Sequence, residues 1–310
     1  GGTIPDRGSY CLPVTDTNPL TLRRYGYCVI IRLVLGLLGL GGGALLAALS
    51  DYDDLLEIAF KEKIDIVFAG AGLPLKFPAF VTPEILRHGH TRFVPIVSSA
   101  KAAHVICKYW SSHYDHIPDA LVVEGPMAGG HLGFSREQLD DPAYELSSLV
   151  KEILPVAKSF GERFNKNVPV IAAGGVYTGA DIRRFITSGA SGVQMGTRFV
   201  ATNECDASDA FKRAYLQCTK DDIAIINSPV GMPGRAIKND FLKRIDAGCK
   251  RQFQCEFQCL RSCHFDKASY CIASALNNAQ QGNMDEGFAF AGANAWRVDR
   301  IMSVHDLIAT

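Results

Sequence analysis

The sequence predicts an α/β fold built from parallel βαβ units, and three observations carry that prediction. From about Asp51 onward, short apolar runs rich in β-branched residues (IDIVFAG, RFVPIVSS, ALVVEG, VPVIAAGG, SGVQMGTRFV) alternate with amphipathic stretches of helical length. The runs are apolar throughout instead of alternating with polar residues, the pattern of strands covered on both faces. Most of them end in glycine, which lets the chain turn sharply out of a strand. Two architectures satisfy these observations, a closed (β/α)8 barrel and an open doubly wound sheet, and periodicity does not choose between them.

The helices follow in order. DYDDLLEIAFKEK places Leu55, Ile58 and Ala59 on one face; KAAHVICKYW follows RFVPIVSS; YELSSLVKEILPVAKSFGERF is the longest; ADIRRFITSG separates the last two strands. The pattern breaks after about Asp240, where a cysteine-rich stretch leads to a helical SYCIASALNNAQQ and a strand-like GFAFAG. The chain therefore divides into an α/β part over residues 1–240 and a small cysteine-rich, helical C-terminal appendage over 241–310.

Composition narrows the partners. At 310 residues with 47% hydrophobic and 21% charged residues, the chain has the make-up of a globular enzyme or binding domain. A formal net charge of zero argues against a nucleic-acid partner, which needs a clustered basic excess. Leu33 to Leu49 is apolar throughout, but it is marginal in length for a membrane span and interrupted by Gly41, Gly42 and Gly43; a buried strand, turn and helix have the same composition. No signal peptide is visible and the ten cysteines do not suggest a small secreted scaffold, so the expectation is a cytoplasmic protein. It would act on a small molecule, apart from membranes, and its composition is compatible with a homo-oligomer.

Two glycine turns point to a phosphate. Gly174 and Gly175 close the VPVIAA strand, and Gly196 and Thr197 close the next one about twenty residues later. Without a Cβ the main chain can approach phosphate oxygens and direct N–H groups at them, and Thr197 adds a hydroxyl. In (β/α)8 barrels the turns after strands seven and eight commonly build such a site. The alternative is a pair of tight strand-to-helix turns. No G-x-G-x-x-G follows any strand, so a dinucleotide fingerprint fits worse. Glu124 ends the ALVV strand, and His131 stands seven residues on, among Gly125, Gly129, Gly130 and Gly133. A histidine on a βα loop faces the same mouth as the glycine turns and titrates near neutrality, as a general base requires. The plainer reading is a loop histidine bonded to the backbone.

VEGPMAGGHLGF, PVIAAGG and GVQMGTRFVAT together resemble the nitronate monooxygenase family, the 2-nitropropane dioxygenase-like proteins, whose motifs the flavin-dependent enoyl-ACP reductase II enzymes share. The resemblance covers about Asp51 to Cys205, and FAGANAWRVDRIMSV also looks familial. It implies an FMN-containing (β/α)8 TIM barrel, with His131 as proton acceptor, Gly174, Gly175, Gly196 and Thr197 on the FMN phosphate, and Glu124 and Lys101 close to the flavin. Lys101 is equally readable as a solvated lysine at a helix start. The implied activity is oxidation of nitronates or nitroalkanes. The alternatives are a reductase taking hydride from NAD(P)H and, third, a non-catalytic FMN-binding protein.

Two regions depart from the family. The first fifty residues lack its opening strand with a glycine-methionine turn and its strand ending in asparagine. The C-terminal cysteines, among them Cys255, Cys259, Cys263 and Cys271, are spaced closely enough for an iron–sulfur cluster or zinc, although their spacing matches no standard motif. Helical spacing would instead bury Cys255, Cys259 and Cys263 as small hydrophobes.

Overall fold

A computed structural model describes residues 42–255, 258–261 and 263–310. The atypical N-terminal stretch 1–41, and with it most of the apolar Leu33–Leu49 run, lies outside the described residues. Among the described residues, nine strands form two sheets. β1 (Gly42–Leu46), β2 (Ile66–Gly70), β3 (Arg92–Val97), β4 (Leu121–Glu124), β6 (Val170–Ala173) and β7 (Gly192–Gln194) make a six-stranded sheet in that order. β5 (Gly130–His131), β8 (Ile223–Asn227) and β9 (Pro233–Ile237) make a small antiparallel one, in the order β5-β9-β8. Every pairing in the larger sheet is parallel.

Helices connect the parallel strands: α1 (Tyr52–Lys61), α2 (Pro83–His88), α3 (Ala100–His113), α4 (Leu146–Phe164) and α5 (Gly179–Thr187). Local chemistry sets their starts. The Ser99 side chain accepts the Ala102 N–H at 3.1 Å at the head of α3, and Thr178 and Asp181 form a reciprocal capping box on α5. Beyond β7 come α6 (Thr197–Val200), α7 (Asp209–Gln217), α8 (Asp240–Asp246), α9 (Ile272–Gln280) and α10 (Val304–Ala309).

The pleat divides the sheet's side chains between two hydrophobic clusters. Val67, Phe93, Val97, Leu121, Val123 and Ala172 pack with helix residues such as Leu56, Ile106, Trp110, Val150 and Phe185. Phe68, Val94, Val122 and Ala173 form a smaller cluster with Ala44, Ile96 and Ile171 on the other face. Trp110 is fully buried, and its indole N–H donates to Pro74 O at 2.9 Å, so burial leaves no orphan donor.

At the N-terminal edge of the sheet, Asp119 is nearly buried and well partnered. It accepts the Phe93 N–H at 2.8 Å and the Lys166 ammonium at 2.7 Å, with Arg92 at 3.9 Å. His116 Nε2 stands 3.8 Å away, too far for a hydrogen bond but within ion-pair range when protonated. Burial pushes the Asp119 carboxyl up, but these partners outweigh it and hold the group below its ordinary value.

Three sequence-based assignments need correction. The buried face of α1 is Tyr52, Leu56 and Ala59; Ile58 is exposed, because the sheet lies one helical step away from the expected face. Thr197 leaves the SGVQMG strand to open α6, so Arg198, Phe199 and Val200 are helical. GFAFAG forms no strand, only a single bridge between Phe290 and Ala236. No helix of the described residues is long and apolar enough to cross a membrane.

Candidate functional site

A parallel sheet delivers all its C-terminal strand ends to one edge. Gly70, Val97, Glu124, Ala173 and Gln194 end their strands there, and the loops that follow build a mouth.

The β4 loop carries His131 across that mouth. Gly130 adopts a φ of +84°, which frees the chain to enter the short strand β5, where Gly130 pairs with Arg235 and His131 with Gly234. His131 therefore sits on a paired strand instead of in an open loop. Its Nε2 lies 2.7 Å from Ser228 Oγ, and Phe290 meets the ring edge-on at 5.0 Å. Burial lowers the imidazole pKa below the ordinary histidine value, which favours the neutral ring. Nδ1 has no hydrogen-bond partner among the described residues.

Arg235 holds the same loop from beneath. It is nearly buried, donates Nη1 to Ala128 O at 2.9 Å, and makes a second bond to Pro126 O. Burial depresses its pKa, and no carboxylate is within ion-pair distance among the described residues.

The two glycine turns face this loop. Gly174 and Gly175 have φ of +88° and +94°, a conformation L side chains rarely adopt. A Cβ on Gly174 would lie 2.8 Å from Gly125 O, and one on Gly175 2.8 Å from Met127 Cβ. The β6 turn is thus packed directly against the β4 loop. A Cβ at Gly196 would meet nothing within 4 Å, so the backbone there is open to approach. Thr197 Oγ1 accepts the Gly292 N–H at 3.1 Å, which leaves its own O–H free to donate.

Glu124 ends β4 on the face shared by Val122, at the mouth end of the smaller cluster. It is half-buried, has no hydrogen-bonding partner among the described residues, and burial pushes its carboxyl up to about 7. Lys101 sits in the first turn of α3 and is exposed. The strand ends bring His131, Glu124 and both glycine turns to one edge; Lys101 stands at the same edge, on its solvent side.

Among the described residues no group of three or more His, Cys, Asp or Glu is arranged to hold a metal ion, and Cys255, Cys259, Cys263 and Cys271 are free, partly buried thiols. Burial, then the neighbouring thiols of the same set, push Cys259 and Cys263 up, so these cysteines lie within electrostatic range of one another. The iron–sulfur or zinc expectation is not supported.

Sequence reasoning missed Ser228 and Asn294. Asn294 Nδ2 donates to Gly175 O at 2.8 Å. The familial look of FAGAN marked the second; SPVGMPGRA carried the first, but nothing in that string alone brings it 97 positions back to His131.

The site and sheet define an α/β protein of the FabK architecture. FabK from Thermotoga maritima superimposes with a TM-score of 0.67 over 96% of this chain and 81% of its own, at 24% identity. A point mutant of the same FabK gives 0.63 at 25% identity, covering 86% and 71%, and nitroalkane oxidase from Streptomyces ansochromogenes gives 0.59 at 23%, covering 83% and 66%. The chain belongs to the nitronate monooxygenase family, whose model matches residues 42–310. A probable nitronate monooxygenase of Staphylococcus saprophyticus is 29% identical over 189 residues, 60% of this chain and 50% of the relative. The (3aS,4S,5R,7aS)-5-hydroxy-7a-methyl-1-oxo-octahydro-1H-indene-4-carboxyl-CoA dehydrogenase of Mycobacterium tuberculosis is 31% identical over 157 residues, 51% and 38%. The chain spans half or less of the length of these curated relatives.

Proposed function

We propose that this chain is an FMN-dependent oxidoreductase that oxidises nitroalkanes or nitronates, with His131 as the base. The observation that carries the reading is a half-buried imidazole bonded to Ser228 at the strand-end edge that also carries both glycine turns. Gly174, Gly175, Gly196 and Thr197 would hold the FMN phosphate. Supporting them are backbone torsions only glycine takes easily, an approachable main chain at Gly196 and a Thr197 hydroxyl with its proton free. When bound, FMN would accept the electrons of the oxidation.

The chain's own part is proton handling and order. In the tautomer that donates Nε2–H to Ser228 Oγ, Nδ1 is the lone-pair nitrogen that would take the acidic α-proton of a neutral nitroalkane. Glu124, its carboxyl pushed up to about 7 by burial, would carry less negative charge beside the anion so formed than an ordinary carboxylate. Lys101, exposed in the first turn of α3, would approach the flavin from the solvent side of the same edge. The six parallel strands are taken as part of a (β/α)8 barrel over residues 1–240, with 241–310 as its C-terminal element; the FabK likeness supports this.

A second reading, an NAD(P)H-dependent reductase of the enoyl-ACP reductase II type, is favoured by the FabK superposition alone. Steady-state assays with oxygen or NAD(P)H as redox partner separate the two. Nitroalkane oxidation without added nicotinamide supports the first; flavin reduction by NAD(P)H with no nitroalkane turnover replaces it with the second.

A further inference from the structure

Five consecutive residues near the C-terminal end, Phe290 to Asn294, each touch a different part of the mouth. Phe290 packs edge-on against His131 at 5.0 Å. Ala291 N–H donates to Arg235 O at 3.1 Å, on the strand that pairs with His131's. Gly292 N–H donates to Thr197 Oγ1 at 3.1 Å, and Ala293 N–H to Met127 O at 3.0 Å. Asn294 Nδ2 donates to Gly175 O at 2.8 Å. The segment runs so close to the β4 loop that a Cβ on Gly129 would stand 2.5 Å from the Ala291 carbonyl carbon.

We infer that this segment is a strap that sets both phosphate turns and ties them to the histidine, with Asn294 as its principal positioning residue. The reasoning is geometric. A trans peptide holds its C=O and the following N–H on opposite sides, so fixing Gly175 O also fixes the direction of the Val176 N–H. Gly175, with its left-handed φ, has no side chain of its own to restrain that peptide. Asn294 supplies the restraint from the chain's far end, 119 positions away. Gly292 acts likewise on the second turn, because accepting its N–H orients the Thr197 hydroxyl. The next residue along, Ala295, is fully buried, which anchors the strap's end. Asn294 is thus a positioning residue that acts on the cofactor through Gly175.

The inference rests on the FMN reading, and the test separates the two. FMN affinity of the full chain is measured by quenching of flavin fluorescence for wild type, Asn294→Ala, Asn294→Asp and the control Asn239→Ala. Asn239 makes comparable amide-to-carbonyl bonds, to Met284 O and Gly287 O, away from the mouth. The strap predicts roughly tenfold weaker FMN binding for Asn294→Ala, the scale of one lost hydrogen bond, and a larger loss for Asn294→Asp, which faces a carbonyl with a carboxylate. Apoprotein melting should stay close to wild type in both, while Asn239→Ala should lower the melting temperature and leave FMN affinity alone. Equal affinities in wild type and Asn294 variants would overturn the strap, as would a loss of affinity matched by the control. A wild-type chain that binds no FMN would overturn the cofactor reading and the strap with it.

Discussion

The two edges of the parallel sheet treat their charges in opposite ways. At the N-terminal edge, Asp119 is nearly buried and fully answered, by Lys166, Arg92 and a backbone N–H. At the C-terminal edge, Glu124, His131 and Arg235 are also withdrawn from water, yet none has an oppositely charged partner within ion-pair distance among the described residues. Pairing drives the Asp119 carboxyl down and keeps it charged; burial without pairing drives Glu124 up and His131 down, toward neutrality. The first edge is built for stability. The second leaves its buried groups without ionic partners, the arrangement expected where strands deliver chemistry.

The largest effect is expected at His131. His131→Ala should slow oxidation of a neutral nitroalkane by roughly 100-fold or more, the scale of a lost general base, with flavin still bound. A nitronate arrives already deprotonated and should suffer far less. Equal losses on both substrates in steady-state assays would take His131 out of proton abstraction. Since burial lowers the imidazole pKa, wild-type activity on the nitroalkane should rise with pH through a value below 6.5 and level off above it.

At the opposite edge, Asp119→Ala should cost about 3 kcal/mol of stability, because it leaves the Phe93 N–H without its acceptor and the Lys166 ammonium without its carboxylate, with only Ile117 O remaining. The sign also follows for pH. A depressed carboxyl contributes stability above its unfolded value, near 4, and loses it as pH falls through the folded one. Urea unfolding at pH 7 and pH 3 checks both statements, and the wild-type advantage should shrink at pH 3.

Ser228→Ala separates orientation from chemistry. It leaves the imidazole in place but removes the partner of Nε2, so kcat on the nitroalkane should fall by about tenfold, one hydrogen bond's worth, with flavin affinity kept. An unchanged kcat and pH profile would leave Ser228 a packing residue.

The smallest effect belongs to Glu124. A carboxyl raised to about 7 favours the fold below the unfolded value near 4.5, and that contribution is lost as pH rises through 7. Glu124→Gln should therefore raise the melting temperature at pH 8.5, by roughly 2 °C after allowing for the group's partial exposure, and change it little at pH 5. A larger gain at pH 5 than at pH 8.5 would reverse the assignment.

Much of the mouth is legible in the sequence because its parts are local. GG after a buried strand, MGT after the next and GGH after VVEG each declare a turn with its own glycines. What stays hidden is long-range. Ser228 reaches His131 only because β9 pairs with β5, and Asn294 reaches Gly175 only because the C-terminal segment folds back over the mouth. Neither pairing leaves a periodic trace. The face of α1 is ambiguous for a related reason: Leu55, Ile58 and Ala59 satisfy helical spacing as well as Tyr52, Leu56 and Ala59 do, and only the sheet beneath selects between them. The cysteine stretch is different again: its close spacing suggests a shared ligand, while among the described residues no group of three or more is arranged to hold a metal ion.

FMN binding by this chain depends most directly on the glycine turns holding its phosphate. The decisive measurement is an FMN titration of wild type and Gly175→Val, followed by flavin fluorescence together with the absorption spectrum of the purified protein. Valine at 175 would put a Cβ 2.8 Å from Met127 Cβ on a backbone at φ +94°, closing the turn. Wild type should bind one FMN and carry a flavin spectrum, and the variant should lose both. A colourless wild type with no saturable FMN binding, or a variant that binds as well as wild type, would contradict the account.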